Sequence, residues 1–117
     1  MWKQWLTAAA KEADLQGKLF LQLEQEGVMA QPDFLSDALM ELGDCAERIA
    51  GVAPALRKPC ARIVRIAEKC RSELRDLAGH TTHSDKAVVI RHSLELRLPL
   101  VADIAKTTAS SDSIPAA

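Results

Sequence analysis

The chain has 117 residues and a mass of 12.7 kDa, the size of one ordinary domain and too small for two separately cored ones. Its 48% hydrophobic and 26% charged residues exclude a compositionally disordered chain. Its net charge of −1, from fifteen Lys+Arg against sixteen Asp+Glu, excludes a polycation built to coat nucleic acid.

With no Tyr, two Trp, two Phe, five Gly and five Pro, the chain lacks the aromatic strands and turn residues of a sandwich or barrel. Its aliphatic residues are mostly Leu and Ala, which favour helix. Advancing about 100° per residue resolves four amphipathic segments. Helix 1, about 2–26, places Trp2, Trp5, Leu6, Ala9, Ala13, Leu19, Phe20 and Leu23 on one broad side. Gly27 and Gln31-Pro32-Asp33 close it and open helix 2, about 33–50, Pro32 sitting where the first turn needs no donor. There Phe34, Leu35, Ala38, Leu39, Leu42, Cys45, Ala46 and Ile49 share an arc of roughly 140°.

Gly51, Pro54 and Pro59 separate helix 2 from helix 3, about 55–78, which gathers Leu56, Cys60, Ile63, Ile66, Ala67, Cys70, Leu74 and Leu77. Gly79 ends it, and Thr82, Ser84 or Asp85 can cap helix 4, about 85–106. That last helix differs from the others. Val89, Ile90, Leu94, Leu96, Leu98, Leu100, Val101, Ile104 and Ala105 occupy more than half its circumference, so one neighbour cannot cover it. Pro99 lies inside it, removes one backbone hydrogen bond and is expected to kink it near Glu95–Arg97. These segments predict an all-α, antiparallel four-helix bundle over residues 1–106, with 107–117 as a flexible tail. Dimerisation through helix 4 would cover its surplus apolar surface, with Trp2, Trp5, Val89, Leu96 and Leu100 as the expected oligomer interface.

Charge is segregated along the chain. Residues 12–47 hold nine acids and one base, net −8, whereas residues 56–79 hold seven bases and three acids, net +4. The acidic candidates are Asp33, Asp37, Glu41 and Asp44 on helix 2; the basic ones are Lys58, Arg62, Arg65 and Lys69 on helix 3. Three uses compete: solvated faces whose edge charges pair across neighbouring helices, recognition of a protein partner or a second copy, and phosphate tracking along helix 3. Against the last, the basic stripe has no Asn/Gln base-reading set and no stacking aromatic.

No catalytic or cofactor motif emerges. Cys45, Cys60 and Cys70 fall on apolar helix sides and read as small core hydrophobes. A metal site with His80 and His83 would lack the close cysteine pair of tetrahedral zinc sites. His80, His83 and His92 occupy polar positions, and the pairs Glu24/Glu26 and Glu41/Asp44 read as surface carboxylates. The five glycines are isolated, so no phosphate loop is present. No apolar run approaches the roughly 18 residues of a membrane span, and the N-terminal apolar stretch of about five residues makes no signal peptide. Three cysteines at wide spacing describe no disulfide framework, which points to a cytoplasmic setting.

The stretch Ser93-Leu94-Glu95-Leu96-Arg97-Leu98-Pro99-Leu100, with Ile104 after it, resembles the phosphoacceptor box of histidine-kinase dimerisation helices. Ser93, Glu95, Leu96, Arg97, Pro99, Leu100 and Ile104 match the family's pattern. Leu94 stands where the phosphorylated histidine belongs, and Leu98 replaces its Thr or Asn. The resemblance therefore implies a dimeric helical module and no kinase activity. Together these features lead to the expectation of a small, non-catalytic, cytoplasmic interaction or regulatory adaptor that self-associates or binds a protein partner. It would use no cofactor, metal, membrane or small-molecule substrate. A nucleic-acid-binding regulator acting through helix 3 is the alternative.

Overall fold

Each predicted apolar stripe forms a helix. In the computed structural model α1 spans Trp2–Gln25, α2 Asp33–Val52, α3 Arg57–Ala78 and α4 Asp85–Ala109, with a 3-10 turn at Pro54–Leu56 between α2 and α3. The structure describes residues 2–28, 31–80 and 84–110, and among them there is no strand. The architecture is the expected all-α four-helix bundle. α1 and α3 each pack against both α2 and α4, so the helices form a ring in chain order with α1 diagonal to α3.

Cross-helix contacts fix the directions. Asp14 and Glu24 of α1 reach Lys106 and Arg91 of α4. Ser36 near the start of α2 accepts a hydrogen bond from Arg71 Nε late in α3, at 3.3 Å. Neighbours are therefore antiparallel, as short connections require.

Local chemistry sets the ends. Gly27 has φ +74°; its N–H donates to the Glu24 carbonyl and that of Val28 to the Leu23 carbonyl, at 3.2 and 3.0 Å. Those two bonds make a Schellman cap, in which a left-handed residue follows the helix. Of the three candidate caps for α4, Ser84 does the work: its Oγ accepts from the Ala87 N–H at 3.1 Å. Pro32 stands one position before the first helical residue of α2, and its carbonyl accepts from Ser36 N–H at 2.8 Å. The break around Pro54 takes the form of that 3-10 turn, so α3 begins at Arg57, two residues later than its pattern suggested.

α4 runs three residues beyond the expected 106. Thr108 and Ala109 are buried, and Thr108 Oγ1 donates to the Ile104 carbonyl at 2.7 Å. Residues 107–109 therefore belong to the bundle; 111–117 lie outside the described residues. The helix continues through Pro99. Pro99 and Glu95 are both exposed, so the Glu95 carbonyl that loses its helical donor meets water instead of core.

The core is built from Leu6, Leu35, Leu39, Leu42, Ile49, Ile63, Leu74, Leu94 and Val101, all essentially inaccessible, with Cys60 and Cys70 among them. On α1 the buried line is Leu6, Ala10, Ala13, Gly17 and Phe20. Trp5 and Leu19, expected on the apolar side, are instead 59% and 48% exposed. Small residues carry this interface because they let the neighbouring helix come close. A Cβ placed on Gly17 would already stand 3.5 Å from Leu98 of α4. Phe34, placed with the α2 core by its period, is likewise exposed.

Two ion pairs tie α1 to α4. Lys106 Nζ lies 3.2 Å from Asp14 Oδ2, and Arg91 Nη1 lies 3.6 Å from Glu24 Oε2. Burial alone would raise the Asp14 carboxyl, but the ammonium groups of Lys18 and Lys106 outweigh it and hold it below the usual carboxylate value. Glu24 is thus no open surface carboxylate; it is mostly buried against Arg91.

Two glycines should respond oppositely to alanine. Nothing lies within 4 Å of a Cβ at Gly43, inside α2, so Gly43→Ala should stabilise by about 0.5–1 kcal/mol through helix propensity. Gly27→Ala forces a side chain into left-handed backbone and should cost about 1–2 kcal/mol. Urea unfolding followed by circular dichroism should move the two midpoints in opposite directions.

Candidate functional site

Helix order converts the linear charge pattern into a spatial one. Asp33, Asp37, Glu41 and Asp44 are all exposed along the outer side of α2, and Lys58, Arg62, Arg65 and Lys69 are all exposed along the outer side of α3. Among the described residues, none of these eight forms a salt bridge; the ion pairs observed are Lys18–Asp14, Arg91–Glu24, His92–Glu95, Arg97–Glu73 and Lys106–Asp14. The edge pairing that would neutralise the two stripes is therefore not made.

The stripes lean towards different seams. Glu41 and Asp44 line a groove of about 450 Å³ between α2 and α1, together with Trp5, Glu12, Cys45 and Arg48. Arg62, Arg65 and Lys69 line a groove between α3 and α4 with Ile66 and Arg97. Asp33, Asp37 and Lys58 continue the same helix sides beyond the grooves, by helical spacing. In a ring ordered α1-α2-α3-α4, the α1/α2 and α3/α4 seams lie on opposite sides of the bundle. One side is acidic and the other basic.

Arg97 was absent from the sequence-derived basic set because it sits on another helix. Its Nη1 lies 3.5 Å from Glu73 Oε1 and also donates to Ser93 Oγ. Glu73 is 7% exposed, and among the described residues its Oε1 accepts no hydrogen bond. A buried carboxylate of this kind needs a cation nearby, and Arg97 supplies it from across the seam. Glu12 and Arg48 were likewise missed. Only the antiparallel register of α1 and α2 brings Glu12 beside Glu41.

The outward pole of α4 is apolar. Val89, Leu96 and Leu100, at i, i+7 and i+11, are 68%, 65% and 42% exposed. They stand opposite the buried Leu94, Leu98, Val101 and Ala105. Trp5 opens onto the α1/α2 groove, whereas Trp2 is half-buried against the core with Lys3 Nζ 5.9 Å from its ring centre. The five residues expected at an oligomer interface thus form no single surface: Trp5 lines the α1/α2 groove, Trp2 packs against the core, and Val89, Leu96 and Leu100 face outward from α4. Leu94, at the phosphoacceptor position of the box that Ser93–Leu100 resembles, is wholly buried.

The thiols are poorly suited to chemistry. Burial raises all three; for Cys60 the neighbouring Cys45 adds to the rise, and for Cys45 Arg48 works against it. Cys70, buried beside Glu73, is pushed up to about 12. His80 and His92 are exposed, and His92 Nδ1 lies 3.7 Å from Glu95 Oε2. His83 lies outside the described residues, and among those described no group of three or more His, Cys, Asp or Glu could hold a metal ion.

Comparison with protein-family models, curated proteins and solved structures finds no match to this chain. Among the described residues, no helix is long and apolar enough to cross a membrane.

The thiol environments give a direct check. Near pH 8 a disulfide exchange reagent should modify the half-buried Cys45 first and leave Cys60 and Cys70 untouched in the folded protein. All three should react in urea. Rapid native-state labelling of Cys70 would contradict its burial.

Proposed function

We propose that this chain is a small non-catalytic interaction protein that self-associates, and that it works as an adaptor or regulatory module by presenting its charged seams to protein. The observation that carries the proposal is the apolar pole of α4, where Val89, Leu96 and Leu100 face outward from a helix whose opposite side fills the core. At roughly 25 cal/mol per Å², covering such a stripe contributes several kcal/mol towards association. Unneutralised charge on two other helices supports it, because oriented charge steers and registers a protein partner. The burial-raised thiols and the exposed His80 and His92 support a non-catalytic role. Free cysteines are in keeping with a reducing, cytoplasmic setting.

Light scattering over a concentration series tests the proposal. Wild-type mass should rise with concentration, and Leu96→Glu or Leu100→Glu should give a soluble monomer with unchanged helicity. A wild-type protein that stays monomeric at high concentration would defeat it.

One observation favours the second reading, a nucleic-acid-binding regulator: Arg97 joins Arg62, Arg65 and Lys69 in a single groove. Three or four phosphate contacts would make affinity fall steeply with salt. A mobility-shift series should therefore show binding that weakens by an order of magnitude or more between about 0.05 M and 0.2 M salt and is abolished in Arg62→Glu/Arg65→Glu. Salt-insensitive or unaltered binding rules that reading out.

A further inference from the structure

We infer that self-association is head to tail: the acidic α1/α2 seam of one copy seats on the basic α3/α4 seam of the next. This rests on the self-association proposed above and specifies its geometry.

Four observations point to a second copy as the occupant. The two seams have opposite charge and lie on opposite sides of the bundle. Their stripes also match in length. Asp33 to Asp44 and Lys58 to Lys69 each present four like charges across eleven helical steps, the second span also holding Glu68, about 16 Å of helix. Each seam also exposes apolar side chains beside its charges. Leu19 follows Glu12 by seven residues and Phe34 precedes Glu41 by seven, so both share the side of their helix that faces the acidic groove. On the basic side, Leu96 and Leu100 lie one and three residues from Arg97, exposed on the adjoining outward pole of α4. Finally, none of the eight stripe charges has a salt-bridge partner among the described residues of its own chain.

A closed two-fold dimer through α4 fits these facts less well. Antiparallel pairing of α4 with its own copy sets α3 against α3, bringing Arg62, Arg65 and Lys69 towards identical cations. Heterologous pairing places those cations opposite Asp37, Glu41 and Asp44 instead. Because donor and acceptor faces are on opposite sides, two copies cannot satisfy both, and assembly continues beyond a dimer.

Charge reversal tests the arrangement by sedimentation velocity on the full chain. Asp37→Lys/Glu41→Lys/Asp44→Lys carries two basic faces, and Arg62→Glu/Arg65→Glu/Lys69→Glu carries two acidic ones. All six positions are exposed, and circular dichroism should show that helicity is kept. Each variant alone should associate at least about tenfold more weakly than wild type, and an equimolar mixture should regain association. The milder Asp37→Asn/Glu41→Gln/Asp44→Asn should weaken it by a smaller factor. Wild-type species should exceed dimers and dissociate as salt rises from about 0.05 M to about 0.5 M.

A mixture that stays monomeric, or variants that associate like wild type, overturns the head-to-tail geometry. If the wild type forms only a dimer, broken by Leu96→Glu and indifferent to charge reversal, self-association stands and this geometry falls. A monomeric wild type removes both.

Discussion

The close approach of α4 to α1 is the contact on which the other surfaces depend. Leu98 lies 3.5 Å from where a side chain on Gly17 would begin, in van der Waals contact with that line of α1, and Ala10 and Ala13 keep the same line low. That proximity lets Asp14 and Glu24 reach Lys106 and Arg91 at both ends of the seam. The Lys106–Asp14 pair, the more exposed of the two, orients more than it stabilises, whereas in the mostly buried Arg91–Glu24 pair the loss of either partner would leave a costly unpaired charge. With Leu94, Leu98, Val101 and Ala105 turned inward, the 3.6-residue period leaves Val89, Leu96 and Leu100 at the opposite pole. Turning that face inward therefore leaves part of the wide apolar arc of α4 outside the bundle.

Ring order has an equally direct electrostatic consequence. Acidic α2 and basic α3 are neighbours, yet they turn their charges away from their shared seam, where Arg71 meets Ser36. The acids lean towards α1 and the bases towards α4. Each charged helix thus enlarges its field with charge of the same sign from the next element, Glu12 on one side and Arg97 on the other. A molecule with net charge −1 becomes a transverse dipole by this route. Such a field raises encounter rates and selects orientation more than it adds affinity, so apolar surface must accompany it; Trp5, Leu96 and Leu100 do so.

Most of the fold was legible because each segment carries an apolar stripe at the helical period, with Gly and Pro marking the breaks between segments. Boundaries slipped where backbone chemistry outranked periodicity: the 3-10 turn at Pro54, and the Thr108 back-bond that carries α4 to Ala109. The α1 face was read too wide because bulky residues mark a stripe more visibly than Ala10 or Gly17, although small residues set the packing distance. Of the candidate surfaces, the eight stripe charges and the outward Val89, Leu96 and Leu100 were readable one helix at a time. Arg97, Glu12 and the buried Glu73 were not, because each acquires its role from a neighbour about 24 to 30 residues away in sequence, through antiparallel register.

Glu73 shows why the basic seam is more than a row of lysines and arginines. A carboxylate buried at 7% exposure would be costly without a cation, and Arg97 is the one that faces it. Burial first, and then the Glu73 charge, raises the Cys70 thiol, while Arg97 works in the opposite direction. One residue of α4 thereby satisfies the interior of α3 and, on its solvent side, extends the groove of Arg62, Arg65 and Lys69. The position of the basic surface is consequently tied to the α3/α4 packing itself: a shift between those helices would separate Arg97 from Glu73 before it disturbed the exposed lysines and arginines. Any partner that engages this seam meets a cation already held in place from within.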